Sequence, residues 1–354
     1  MVVLNDHDVR TLTESLEELR LIDPIADPEA FISASQLWAG KLSDPYRREI
    51  QRFRRFGSPE GALLISNIPI GEIPPTPRRP IEAIGLAPVA VCSQAVLLGE
   101  LGEQVGYRPE FGGGIYQVIA PVQSDELEQI STSSRAALER HIETAWSRHR
   151  PDRVALLCVR PDHLKVAGTP ISPSWRIVKA LAPEMIAVLR EPRFKMKVDR
   201  SYLRGDGYTQ DIWNKGIAVL QGSVENPDMQ IDIAEAGVVD PQDSVAEAAL
   251  AEFSRVACEV EEVVRLDAGQ MVIVDNHKAL HGRTPFTARY DGQDRILLRA
   301  FLLRSLYPSE SVRPDNGRIL EPDYRELPVV EPTFNVGAIR ATDNRTTVVH
   351  ARGY

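Results

Sequence analysis

Two short stretches of this chain carry residues that could do chemistry together. In "ERHIETAW", one residue separates His141 from Glu143. Side chains alternate in an extended segment, so the two would share a face and could reach one metal ion. His281, in "LHGRTPF" after an apolar run, is available as a third ligand. Two histidines and a carboxylate on one face of an octahedron leave positions open. That suits a redox-active Fe(II) taking both a cosubstrate and O2. Taken alone, His141-Ile142-Glu143 reads more simply as a surface histidine beside a surface glutamate. Arg295 and Arg299 change that weighting, because both stand in the largely apolar "DRILLRAFLL". A buried guanidinium is costly unless paired. A spacing of four puts both on one strand face, and a guanidinium fork grips carboxylates naturally. Two carboxylates bound near a metal are therefore expected.

Short strands must position these residues. "GALLISNIPI" (61–70), "GGGIYQVIAPV" (112–122), "RVALLCVRPD" (153–162), "GIAVLQGS" (216–223), "GQMVIVD" (269–275) and "RILLRAFLL" (295–303) read as strands, the last two around an Asp291–Gly292 turn. Helical patterning covers 8–56, 88–105, 172–191 and 244–266. Residues 123–140 read as a polar loop, and 193–216, with Gly205 and Gly207, as a mobile flap. The tail after 304 is rich in proline and charge and is expected along the surface. Fixed-period repeats and steady strand–helix alternation are both missing. A barrel or jelly roll with helical additions is expected rather than a doubly wound sheet.

The bulk composition narrows the function. The 354 residues carry a net charge of −9 and only 6% aromatics, which argues against nucleic-acid binding. No apolar run reaches membrane-spanning length, and the N-terminus turns acidic at once without a signal-peptide core. Cys92, Cys158 and Cys258 are odd in number and far apart. Cys92 and Cys158 read as buried reduced thiols, so a cytoplasmic location is expected. No oligomeric state is read. His277 is expected outside the barrel, Trp146 in the core, His149 and His163 in solvent. Asp275 and Asp294 are expected to orient loops.

Three stretches match a known pattern in order: "ISTSSRAALERHIETAWSRHRPDRVALLCVRPD" (130–162), "VAGTPISPS" (166–174) and "GQMVIVDNHKALHGRTPFTARYDGQDRILLRAFLL" (269–303). The chain resembles the Fe(II)/2-oxoglutarate-dependent oxygenases of the TauD-like superfamily. Within them it resembles the clavaminate synthase-like branch of arginine, lysine and asparagine hydroxylases from peptide-antibiotic pathways. That branch carries Glu where most of the superfamily has Asp, as at Glu143. Ile142 departs from the usual threonine, and "AWSRH" from a typical Ala-Phe-His.

The resemblance implies a single oxygenase domain over 1–354, mostly β with flanking helices around a cupin-like double-stranded β-helix. A helical region would span about 1–110, the jelly-roll core about 111–303 with a helical and flap insert at about 172–215, and an extension 304–354. It also implies roles. His141, Glu143 and His281 would bind Fe(II). Arg295 and Thr169 would hold 2-oxoglutarate. Arg299 would take the substrate's α-carboxylate, with Gln117 and Ser134 near its amine and carboxylate. Asp232 and Asp228, in "VENPDMQIDIAEAG", would face a cationic side chain. The partner implied is a small amino acid, most simply free arginine or lysine hydroxylated at the β or γ carbon. Desaturation, cyclisation, successive hydroxylation, a carrier-bound substrate and asparagine stay open, as do, more remotely, a cupin-like zinc hydrolase and a ligand sensor.

Overall fold

The computed structural model describes residues 1–79, 83–214, 216–322, 324 and 327. Residue 215 of the expected flap and the expected extension beyond 327 lie outside the described residues. The strands that build the site, in chain order, are β1 (Ala62–Ser66), β2 (Glu103–Tyr107), β3 (Tyr116–Ile119), β4 (Leu138–His141), β5 (Arg153–Arg160), β6 (Thr169–Pro173), β7 (Phe194–Met196), β8 (Ala236–Val238), β9 (Glu262–Val264), β10 (Met271–Asp275), β11 (Ala279–Arg283) and β12 (Ile296–Leu303). The α-helices longer than a single turn are α1 (Asp6–Leu19), α2 (Pro28–Ala39), α3 (Asp44–Phe56), α4 (Pro88–Leu98), α5 (Ser174–Ala180), α6 (Pro183–Leu189), α7 (Arg200–Gly205) and α8 (Ser244–Glu259).

The strands form a double-stranded β-helix. In the larger sheet β1, β10, β5 and β12 lie side by side and antiparallel. The free edge of β12 pairs with β3 along Leu297–Ala300 and with β2 along Phe301–Leu303. The smaller sheet runs β9–β6–β11–β4, also antiparallel. β10 lies in one sheet and β11 in the other, so residues 276–278 carry the chain across the barrel.

Alternation along β12 explains both faces. Ile296, Leu298, Ala300 and Leu302 pack outward into a core with α1–α4, whereas Leu297 and Arg299 line an interior cavity. α4 is buried on every side from Ala90 to Leu98, as a helix without a polar face must be. Each fully buried Phe or Leu here contributes roughly 1.5–3 kcal/mol. Asn5 and Asp8 start α1 with a reciprocal capping box, and Asp243 caps α8 through the Ala246 amide.

Several expected elements shift. The helical stretch 8–56 divides into α1–α3, and 172–191 into α5 and α6. The expected helix 88–105 stops at Leu98, and 103–107 becomes β2. Gly102 permits the change, since a Cβ there would sit 2.6 Å from the Leu303 carbonyl oxygen. The expected helix 244–266 ends at Glu259, and residues 262–264 pair with β6 instead. Of 216–223 only Leu220–Gln221 forms a strand, pairing with Asp228–Met229. The flap contains β7, which pairs with β8, and the short helix α7. His163, expected in solvent, is mostly buried 3.4 Å from both Asp291 and Asp294. Asp294 meanwhile accepts the Arg289 and Tyr290 amides, holding the Asp-Gly loop.

Candidate metal centre

β4 and β11 place two histidines directly opposite each other. His141 pairs with His281 across the strands, their ring centroids 4.4 Å apart. Gly282 allows this approach, because a Cβ there would lie 2.5 Å from the Leu138 carbonyl oxygen. After His141 the chain leaves β4, and Glu143 is pinned through its backbone. Its N–H donates to Asn276 Oδ1 at 2.8 Å, and Asn276 Nδ2 donates back to the Glu143 carbonyl (3.1 Å) and to Pro151 O (2.8 Å). Thr144 follows in the left-handed region, φ 57°.

The three side chains converge. Glu143 Oε2 stands 3.9 Å from His141 Nε2 and 3.7 Å from His281 Nε2, and one ligand atom from each residue lies within 4.8 Å of the others. These separations exceed hydrogen-bond length and match donors spread around one ion. His141 Nδ1 lies 2.7 Å from the Glu139 carbonyl, so the ring donates there and keeps Nε2 as the ligand atom. Two imidazoles and one carboxylate, with no further protein ligand atom in the group, fit an iron(II) ion that needs open positions. Burial disfavours charge on His141, but Glu143, Asp232 and the Glu139 carbonyl outweigh it and raise its pKa to about 9. Burial and the neighbouring His141 depress His281 to about 4. Burial would raise Glu143, yet Arg299 and both histidines hold it well below the usual carboxylate range.

Arg295 and Arg299 both line the cavity beside these residues. Arg299 is fully engaged: Nε donates to Gln117 Oε1 at 2.8 Å, one terminal nitrogen to Glu143 Oε1 at 3.2 Å, and the other to Glu110. Arg295 makes no side-chain hydrogen bond or ion pair among the described residues; its guanidinium lies 5.9 Å from the Phe286 ring centroid. Thr169, at the start of β6, lines the same cavity.

On the other side of His141 the cavity wall is acidic. Asp232 forms a backbone bridge with His141, and Asp199 reaches in from the residue before α7. Asp199 accepts the Trp146 indole N–H at 3.3 Å, and Asp232 accepts the Ala234 amide at 2.8 Å. Neither meets a lysine or arginine side chain among the described residues. Burial raises Asp232 to about 6, and burial with Asp232 nearby pushes Asp199 well up.

Of the other expected residues, Asp228 is not brought here: it lies at the surface, 2.9 Å from Lys278 Nζ. The strand Asp228–Met229 turns it away from the cavity that Asp232 reaches. Ser134 is buried behind the wall, its hydroxyl 3.4 Å from Tyr290 Oη, while Ser131 lines the cavity instead. Gln117 touches Arg299 alone among the site residues. Asp199, Glu110 and Asn276 escaped the sequence reading. A signal existed for Asn276, in "DNH" between two apolar strands; Asp199 and Glu110 stand among ordinary surface acids in sequence.

The profile of the taurine catabolism dioxygenase TauD, TfdA family matches residues 60–301. The chain belongs to this family. An L-asparagine oxygenase of Streptomyces coelicolor is 32% identical over 295 residues, covering 82% of this chain and 84% of that protein. An L-lysine 3-hydroxylase of Catenulispora acidiphila is 30% identical over 324 residues, covering 90% and 88%. A solved asparagine oxygenase in complex with Fe(II), 2S,3S-3-hydroxyasparagine and succinate superposes with a TM-score of 0.83 at 29% identity, covering 91% of this chain and 99% of that one. The oxygenase class expected from the sequence is therefore the class of its relatives, and the jelly-roll core is theirs too. Among the described residues no helix is long and apolar enough to cross a membrane.

Proposed function

We propose that this protein is a non-haem Fe(II)/2-oxoglutarate-dependent hydroxylase of a free L-amino acid with a cationic side chain, arginine or lysine. The observation that carries the substrate reading is the Asp199–Asp232 pair, two carboxylates on the cavity wall beside His141 without a lysine or arginine partner among the described residues. A guanidinium or ammonium placed between them would supply the missing charge and form charge-assisted hydrogen bonds. The L-lysine 3-hydroxylase relative agrees in substrate class. Asparagine is the second reading, favoured by the asparagine oxygenase relative. Its neutral amide would form no charge-assisted contact with the pair.

In this reading the 1–354 chain is one catalytic unit. His141, Glu143 and His281 hold iron, and Arg295 with Thr169 hold the distal carboxylate of 2-oxoglutarate. Bound iron with 2-oxoglutarate supplies the oxidising chemistry, using O2 to form succinate and CO2 and to place one oxygen in a substrate C–H bond. The protein's share is position and dryness. Asn276 fixes the Glu143 backbone, and Arg299 orients its carboxylate. The substrate's α-carboxylate is assigned to Arg299, displacing Glu110 from the fork. The flap, with Asp199 at its helix, closes over the distal end.

The test is succinate formation under air with Fe(II), 2-oxoglutarate and each free L-amino acid, followed by product mass. Arginine or lysine gaining one oxygen is the expected result. Succinate without a modified amino acid would reject the free cationic substrate. In the same assay Asp232→Ala should raise KM for that substrate at least tenfold with iron affinity unchanged.

A further inference from the structure

Two residues beyond His281 stands a third buried arginine of the cavity, with no role in the proposed function. Arg283 is 5% exposed and lines the same cavity as Arg295, Thr169 and His281. Among the described residues it forms no ion pair. Its terminal nitrogens donate to Ser134 O (2.8 Å), Ser133 Oγ (2.7 Å) and Ala136 O (2.7 Å), and more weakly to Thr284 O (3.3 Å). Its Nε is buried with no hydrogen-bond partner. The guanidiniums of Arg283 and Arg295 both lie against one ring, 5.2 and 5.9 Å from the Phe286 centroid.

Two buried cations that share one ring and lack ion-pair partners are costly without an anion. Asp162 is near enough to act on Arg295, but its oxygens already accept the Leu164, Val166 and Ala167 amides. The Phe286 face softens the cost for both guanidiniums without neutralising either. A cosubstrate carboxylate entering this end of the cavity would neutralise the pair.

We propose that Arg283 is a second cationic binding residue for the distal carboxylate of the oxo-acid cosubstrate, acting beside Arg295. This rests on the 2-oxoglutarate reading above. It makes the pocket select a dicarboxylate by two charges rather than one, and it ties cosubstrate binding to the 133–136 loop that Arg283 also holds.

Equilibrium binding separates this role from a loop staple. The Mn(II)-loaded protein would be titrated without O2 with 2-oxoglutarate and with 2-oxopentanoate, the same chain lacking the distal carboxylate. The readout is the ratio of the two dissociation constants. Arg283→Gln should cut the preference for 2-oxoglutarate about tenfold and leave 2-oxopentanoate unchanged. Equal weakening of both ligands, or no change, would overturn the proposal. Arg295→Gln tests Arg283 without touching it, should Arg283→Gln fail to fold. A residual preference of about tenfold is expected, and complete loss would make Arg295 the sole cation and overturn the proposal. A native protein that binds 2-oxopentanoate as tightly as 2-oxoglutarate would overturn this inference. One that binds neither would overturn the cosubstrate reading itself.

Discussion

Asn276 decides where Glu143 can stand. Its amide accepts from the Glu143 N–H and donates to two carbonyls, so Asn276→Ala leaves three buried backbone groups unpaired. Each unpaired group costs about 1–3 kcal/mol before relaxation, and loss of such an orienting contact typically weakens metal binding about 10–100-fold. Thermal unfolding and Mn(II) titration of the variant measure both effects; unchanged metal affinity would show that Glu143 is held by other means. Asp232 gives a pH prediction. Its pKa is raised to about 6 by burial, so the free protein keeps it protonated below that pH. A cationic side chain needs the carboxylate, so binding below pH 6 must release a proton. Affinity for arginine or lysine should then fall by up to about tenfold per pH unit below 6 and level off above it. Calorimetric titration of the metal-free protein across pH 5–8 checks this, and Asp232→Asn should flatten the profile. His141, Glu143 and His281 come together as their sequence spacing suggested, although Glu143 stands past the end of β4 rather than on its face. Asn276 was harder to assign, since its partner lies 133 residues away. Asp199 was invisible because only the fold brings the flap to the cavity.

At the scale of elements, the site depends on how closely β4 and β11 approach. Gly282→Ala would drive a methyl group into the Leu138 carbonyl and the nearby Glu139 backbone. Overpacking of this kind costs about 1–3 kcal/mol. Here it would also spread His141 from His281, so metal affinity should fall well beyond what the stability loss explains. Gly85→Ala is the control, because a Cβ there meets nothing within 4 Å. Equal metal binding by both variants would mean that strand spacing does not set the site. The flap is coupled in the same way: Gly205, at the end of α7, packs where a Cβ would lie 2.1 Å from the Pro109 carbonyl, next to Glu110. The sequence showed the larger sheet well, since β5, β10 and β12 are apolar runs. It hid β6 and β11 because each is buried on both faces and interrupted by Pro170, Pro173 or Gly282, which erases alternation. It also overran α4, past the glycines at 99 and 102, and α8, past which Val260, Val263 and Val264 keep a helix-compatible spacing.

The whole molecule is a jelly roll whose larger sheet carries the N-terminal helices on its outer face and the chemistry on its inner one. Inside the barrel Arg283 and Arg295 lie at one end and Asp199 and Asp232 towards the other, with His141, Glu143 and Arg299 bordering both. That polarity is what the proposed function uses, with the cosubstrate at the basic end and a cationic amino acid at the acidic end. It emerges only when segments far apart in sequence are folded together, so composition, with a net charge of −9, could not show it. The most direct measurement compares arginine with citrulline, and lysine with 2-aminoheptanoate, as substrates for 2-oxoglutarate turnover, with product mass recorded for each. The pairs have nearly the same shape and differ by one charge. A preference of at least 100-fold in kcat/KM for one cationic member is expected from a desolvated, charge-assisted contact. Equal turnover of charged and neutral partners would contradict the cationic-substrate reading.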